Sequence, residues 1–256
     1  MIFLLYFLIF MIGASFGSFL NVVIYRVPLG KSVIKPRSQC PKCEKPIYWY
    51  ENIPIFSWIL LRAKCANCKV KISSEYPIVE SLCGFVTLFF FKDLLDLNHF
   101  HYAFFRTTIF YIFLAHFVID LKHKILPDSL NIYLGFVLLI YSFFQFNYIH
   151  IGLGFLIGGG FPYLITWLFY KIRGQIGLGG GDIKLYAVLG LYLGPLDIML
   201  TIFLSCFLGA VVGVFLIATK FLDRNNPIPF GPFILIVAAI QIFFPELFNQ
   251  IKNIIL

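Results

Sequence analysis

Long apolar runs, several of them about 20 residues, leave this chain few ways to fold. The apolar residues come in blocks rather than in amphipathic stripes. Residues 1–25 make the first block. The others fall at roughly 77–97, 103–121, 129–148, 151–171, 183–195, 196–219 and 228–248. The expected fold is all-α: a polytopic integral membrane protein with about eight transmembrane helices. Composition agrees, since 60% of the residues are hydrophobic and 12% charged. A soluble domain carries about twice that charged share. The first block has no basic stretch before it, so it reads as a retained helix and not a cleaved signal. Its segment Gly13-Ala14-Ser15-Phe16-Gly17-Ser18 offers a small-residue face, which lets helix backbones approach closely in lipid.

One long polar stretch interrupts the pattern, residues 26–76. It holds half of the lysines and arginines and three acids, Glu44, Glu51 and Glu75. Basic loops stay on the cytoplasmic side, so this loop is expected there and the N-terminus outside. The remaining charges fit. Cytoplasmic connections then hold Lys122, Lys124, Lys171, Arg173, Lys220 and Arg224, whereas Lys92, Arg106 and Lys252 fall outside. The same bias accounts for the net charge of +8 without a nucleic-acid partner. The chain thus divides into a first helix (1–25), a cytoplasmic loop (26–76) and a membrane domain (77–256).

Four of the six cysteines lie in that loop. Cys40-Pro41-Lys42-Cys43 and Cys65-Ala66-Asn67-Cys68 are paired C-x-x-C knuckles, a specific signal for zinc. Four thiolates suit tetrahedral Zn²⁺, each knuckle giving two ligands from one turn. A loop of about fifty residues has too little core to fold alone, so a structural metal answers a physical need. Disulfides or free thiols are the alternatives, and a reducing cytoplasm argues against disulfides. Cys83 and Cys206 sit in apolar blocks and read as packed thiols.

Two acids stand at the ends of apolar blocks. Asp120 ends one, in Val118-Ile119-Asp120-Leu121-Lys122-His123-Lys124-Ile125-Leu126-Pro127-Asp128. Asp182 ends the glycine run Gly177-Leu178-Gly179-Gly180-Gly181-Asp182-Ile183-Lys184. A carboxylate at a membrane segment needs a reason, because burying its charge is costly. Topology puts both on the cytoplasmic side at similar depth. Should they meet, two carboxylates sharing one proton could hydrolyse a peptide bond with water. The glycines would let a substrate backbone come close. Plainer readings remain open: Asp120 as an interfacial charge, Asp182 as a helix cap, and Asp128 as the N-cap of the next span. The run is no phosphate loop, since G-x-x-x-x-G-K-[ST] is absent. Glycine-rich helix starts are expected at 152–160 and 177–181, and Pro227-Ile228-Pro229-Phe230-Gly231-Pro232 is a stiff lead into the last span.

These residues resemble the bacterial prepilin peptidases, the type IV leader peptidase family, over nearly the whole chain. The resemblance rests on several matches. They are Gly17-Ser18-Phe19-Leu20-Asn21-Val22-Val23-Ile24-Tyr25-Arg26-Val27-Pro28, the paired C-x-x-C loop, Glu75-Tyr76-Pro77-Ile78-Val79-Glu80, Asp120 with Leu126-Pro127-Asp128, and the G-x-G-D-x-K element from Gly179 to Lys184. It implies a membrane-embedded aspartic endopeptidase with Asp120 and Asp182 catalytic and Gly179, Gly181 and Lys184 supporting. Its implied substrates are type IV prepilins or pseudopilins, cut after a glycine at the cytoplasmic face of the inner membrane. Members with the cysteine loop usually also methylate the new N-terminus with S-adenosylmethionine. Glu80 and Gly84, where the loop returns to the membrane, are candidates for that second site. The plain alternatives there are an interfacial charge and a packing glycine. One departure is Ala63-Lys64 before the second knuckle, where the family often has glycine. A transporter would favour charges near mid-span and paired broken helices, and neither is visible. A non-enzymatic assembly scaffold with a zinc loop is the other rival.

Overall fold

The structure, a computed structural model, describes residues 2–92, 97–175, 177–220 and 228–255. Among the described residues it is all-helical, without a β-strand. Nine α-helices follow in chain order: α1 (Ile2–Arg26), α2 (Phe56–Leu60), α3 (Glu75–Phe91), α4 (Leu97–His123), α5 (Asp128–Gln145), α6 (Tyr148–Arg173), α7 (Gly180–Ala218), α8 (Gly231–Phe243) and α9 (Pro245–Ile255). The chain divides into two compact units, Met1–Ala115 and His116–Leu256, with the boundary inside α4.

The multi-pass membrane fold holds, but the count of eight spans does not emerge. Among the described residues, five helices are long and apolar enough to cross a bilayer: α1, α4, α5, α6 and α7. A sixth span exists if α8 and the start of α9 are taken as one broken segment, bent by 106°. Three local causes explain the difference. The run expected at 77–97 holds α3, 17 described residues, shorter than the other spans but within the length a crossing needs, and 93–96 lie outside the described residues. The runs expected at 183–195 and 196–219 are one element broken at Gly194 (φ 76°, ψ −178°). Pro195 lacks an N–H and pushes the residue before it out of helical geometry, and glycine accepts the positive φ that results. The last run bends before Pro245, and α9 is amphipathic where a span would be apolar all round.

In the first unit, α1 and α3 pack through the small-residue face foreseen in α1. A Cβ at Gly17 would lie 2.7 Å from the Glu80 Cα, and one at Gly84 would lie 2.6 Å from the Phe10 ring. Gly84 is therefore a packing glycine. Arg26 ends α1 and is buried. Its guanidinium donates to the carbonyls of Ser32 (3.0 Å), Pro36 (2.8 Å) and Arg37 (3.4 Å), which fastens the start of the polar loop to the helix end. Such charge-assisted bonds also satisfy carbonyls that a loop would otherwise leave open.

In the second unit, α6 and α7 lie backbone to backbone. Gly154 meets Gly190, and Gly158 faces the Tyr186 carbonyl, so side chains at either glycine would clash. The 152–160 glycines are thus interior to α6, where a helix start was expected, and Gly154 and Gly158 form its packing stripe. The start lies earlier, at Asn147, whose Oδ1 accepts the His150 N–H at 2.8 Å. Several polar groups inside this apolar body find partners, as lipid demands. Tyr186 Oη bonds Ser205 Oγ at 2.5 Å, and Thr201 Oγ1 donates to Gln241 Oε1 at 2.9 Å. Lys252 of α9 reaches Asp197 at 2.5 Å.

Candidate active site

Asp120 lies in the last turn of α4 and is buried. Its Oδ2 accepts the backbone N–H of Gly231 at 2.9 Å. Gly231 opens α8, with Pro232 beside it in the first turn. The first four N–H groups of a helix lack internal partners, so a carboxylate there satisfies one of them and meets the positive end of the helix dipole. Glycine is required by contact: a Cβ at Gly231 would lie 2.7 Å from Asp120 Oδ2 and 3.1 Å from Leu126 Cδ2. Sequence reasoning missed this residue. The available signal was Gly231-Pro232, a pair that starts a helix with a free N–H and no side chain in the way.

Asp182 is the third residue of α7. Gly179 is the N-cap, and its backbone N–H bonds the Asp182 carboxylate. Gly181 packs against Leu126, with 3.0 Å left for a Cβ. Asp120 and Asp182 line one cavity of about 900 Å³ and lie within electrostatic range of each other. Gly177, Leu178 and Gly179 form part of its wall, as do Tyr186, Pro229 and Phe230. The two acids come from different helices, each at a helix end, with a shared space of molecular size between the glycine backbone and the α8 start.

Two expected roles change. Asp128 is not an N-cap. Pro127 holds that position, Asp128 is the first helical residue of α5, and Pro127's extended ψ of 131° suits a cap. The Asp128 carboxylate instead accepts both bonds of Lys184 Nζ, at 2.7 and 2.8 Å. Lys184 therefore turns to Asp128, two residues along the helix being too far round to serve Asp182. The pair is exposed, and exposed ion pairs contribute little. Glu80 does not join the aspartate cavity. It lines a separate cavity in the first unit.

The four loop cysteines form one cluster, their Sγ atoms all within 4.8 Å of one another. Cys40 and Cys68 are 3.7 Å apart and Cys43 and Cys65 4.0 Å. A zinc tetrahedron with bonds of about 2.3 Å has edges of about 3.8 Å, so the donor set fits the ion. Each knuckle is closed by an isolated bridge, Gln39 with Pro46 and Lys64 with Lys71. The Lys45 N–H lowers the Cys43 thiol from 9.0 to about 6, and the N–H groups of Cys68 and Asn67 lower that of Cys65. Cys68 is pulled down by the Val70 N–H, but burial and the other three thiols outweigh it and push it up to about 11. At Cys43 and Cys65 the backbone thus favours the thiolate, the form that binds metal.

The turn before the second knuckle survives without its glycine. Arg62 and Ala63 both take positive φ, 51° and 57°. A left-handed conformation costs an L-residue about 1–2 kcal/mol. Ala63→Gly is therefore expected to stabilise the loop by about 1 kcal/mol. Slower zinc release to a chelator, measured against the parent chain, checks it.

Comparison with known proteins extends these observations. Residues 11–94 match the bacterial Peptidase A24 N-terminal domain, and residues 107–214 match the type IV leader peptidase family. A protein of Stutzerimonas stutzeri named prepilin leader peptidase/N-methyltransferase is 34% identical, over 92% of this chain and 89% of its own. Proteins of the same name from Pseudomonas aeruginosa and Legionella pneumophila are 33% and 30% identical, covering 92% and 94% of this chain and 89% and 92% of theirs. No solved structure matches. With helix-end aspartates, a four-cysteine loop and similarity along nearly its full length, the chain belongs to the type IV leader peptidase family.

Proposed function

We propose that this protein is an aspartic endopeptidase of the inner membrane. It removes the basic leader of type IV prepilins or pseudopilins after a glycine, and then methylates the new N-terminus. The observation that carries the peptidase reading is the shared cavity of Asp120 and Asp182. In the reaction, the ionised member of the pair takes a proton from a water molecule, and its oxygen attacks the scissile carbonyl carbon. The protonated member donates to the carbonyl oxygen. The tetrahedral adduct collapses, the C–N bond breaks, and the leaving amine receives the proton. Asp120 has one oxygen fixed by Gly231, which orients the other. The bare backbone of Gly177 and Gly179 gives an extended peptide room beside the pair.

Charge supports the cytoplasmic side. Lys122 and His123 end α4, the helix of Asp120; Lys171 and Arg173 end α6, which precedes the α7 start that holds Asp182; and Lys124 lines the aspartate cavity. The second activity is supported by the names of the relatives and by the cysteine loop. Cys40, Cys43, Cys65 and Cys68 would hold zinc with no ligand position left open, which suits a structural role. S-adenosylmethionine, when bound, supplies the methyl group for the freed amine.

Mass spectrometry of a prepilin incubated with membranes holding this protein tests both activities. The expected product lacks the leader and carries one added methyl group. An intact prepilin would sink the peptidase reading, and a cleaved but unmethylated product would sink the second activity.

Gly231→Ala gives a further expectation. Its Cβ would press on Asp120 Oδ2, and overpacking of this kind costs about 1–3 kcal/mol. Expressed on the reacting group, kcat for leader cleavage falls about tenfold, with KM nearly unchanged. Steady-state kinetics on a prepilin peptide measure it, and an unchanged kcat would contradict the positioning role.

A further inference from the structure

We propose that the buried bond between His116 and Asn131 is a strut that holds Asp120 and Asp182 in register, with His116 as a positioning residue for leader cleavage. The inference rests on the peptidase reading above. His116 lies in α4 one turn before Asp120, on the same helix face. Asn131 lies in the first turn of α5. Both are enclosed by the protein, His116 being 0% and Asn131 3% exposed. His116 Nε2 donates to Asn131 Oδ1 at 3.1 Å. The amide oxygen can only accept, so Nε2 carries the proton.

Helix α5 joins the two helices that carry the acids. Toward α7 it makes two contacts. Asp128 holds Lys184, and Gly135 brings the helix up to Val188, whose methyls would lie 3.4 and 3.6 Å from a Cβ there. Lys184 and Val188 are one turn apart on α7, just after Asp182. Toward α4, His116 and Asn131 make a polar link. Asp120 and Asp182 are thus referred to one common helix, clamped on both sides.

The turn between α4 and α5 carries this link to the cavity. Lys124 has φ 54°, and its N–H closes on the Asp120 carbonyl at 2.8 Å, which ends α4. Pro127 caps α5, and its carbonyl accepts the Asn131 N–H at 3.1 Å. Between them Leu126 is buried and packs at two helix starts. Its Cβ lies 3.0 Å from a Cβ built on Gly181, and its Cδ2 3.1 Å from one built on Gly231. Gly181 precedes Asp182, and Gly231 donates to Asp120. His116 and Asn131 tie the two helices together across the base of this turn. Their bond therefore fixes the wedge that sits beside both acids.

The pair is not a cheap way to pack two helices. Asn131 Nδ2 is buried with no partner among the described residues. An unpaired buried amide costs stability, and an apolar pair of similar size would avoid that cost. What the pair supplies is direction, since a buried polar contact sets register where apolar contacts allow sliding. Direction matters at this site. Catalytic groups need to be held within about 0.5 Å, and a 1 Å misplacement costs about a hundredfold in rate. His116 does not line the aspartate cavity, so it acts through the helix of Asp120 and not on the peptide.

The test uses the full chain in detergent and a prepilin peptide. His116→Phe strands the Asn131 oxygen, Asn131→Leu strands the His116 N–H, and the double variant removes both polar groups. Each single variant is expected to melt at least about 3 °C below the parent. The double variant is expected to return to within about 2 °C of it, since two apolar side chains of similar size replace the pair. In all three, kcat for leader cleavage falls at least about tenfold while KM stays within about threefold. His116→Gln puts an amide N–H near the place of Nε2 and should keep kcat within about threefold of the parent. A double variant that regains kcat along with its melting temperature would make the pair ordinary packing and overturn the strut. So would a loss confined to KM, or a His116→Gln variant as slow as His116→Phe. The glutamine result decides the matter even where the double variant fails to fold. A parent chain that leaves the peptide intact would remove the peptidase reading, and the strut with it.

Discussion

Asp120→Asn and Asp182→Asn are each expected to slow leader cleavage at least about a thousandfold, the scale of losing general acid–base catalysis. Asparagine keeps the shape of either side chain. At Asp120 its carbonyl oxygen can still accept the Gly231 N–H now held at 2.9 Å. At Asp182 it can still accept from Gly179. The cavity and the helix ends therefore stay in place while the shared proton is lost. Membrane insertion, zinc content and methyl-donor binding should match the parent chain. Cleavage is read as the leader-free fraction of prepilin by mass spectrometry. Normal processing by either variant would remove the pair from the mechanism. A scaffold or transporter, by contrast, would give no cleavage in the parent either.

Zinc removal should produce the second large effect, and on the other activity. Cys40→Ser, or prolonged chelation, removes one of four ligands from a cluster whose knuckles are otherwise closed by single bridges. Metal binding to such sites is worth about 10 kcal/mol or more and is inseparable from folding of the segment. Cys40 and Cys65 also line the cavity that ends at Glu80. Methylation is therefore expected to fall at least about a hundredfold, with loss of methyl-donor affinity. Cleavage should stay within a few-fold of the parent, as Asp120, Asp182 and Gly231 all lie in the second compact unit. Zinc is measured by elemental analysis, and the two activities from one prepilin product. Equal loss of both would mean that the loop also serves the peptidase.

How much of this was legible beforehand differs from residue to residue. Apolar runs are a local signal, so the helices α1, α4, α5 and α6 were readable directly. The knuckles were too, because each supplies its ligands from a four-residue turn. Asp120 and Asp182 could be placed on one side of the membrane by counting crossings and charges, but their shared cavity depends on packing between segments far apart in the chain. The Gly231 N–H lay beyond reach for the same reason: nothing near Asp120 in the chain announces a donor 111 residues away. Lys184 shows the converse. Its motif position suggested a place at the site, yet helix geometry turned it toward Asp128. The count of eight spans was not confirmed where composition and geometry part. Phe244-Pro245 breaks an apolar run that continues in composition, and α9 beyond it is a different kind of helix.

The position of both acids at helix ends has a consequence for what can be cut. A peptide bond inside a lipid-embedded helix has its carbonyl engaged, and exposing it means melting a turn in a medium with no replacement donors. A protease with its acids halfway across the bilayer must do that work on every turnover. Here Asp120 and Asp182 sit where α4 stops and α7 starts. On the proposed reading, such a placement would meet a substrate at the junction where its own helix has not yet begun. Selectivity then needs little reading of side chains: a segment already uncoiled at that depth is admitted, and one still wound is refused.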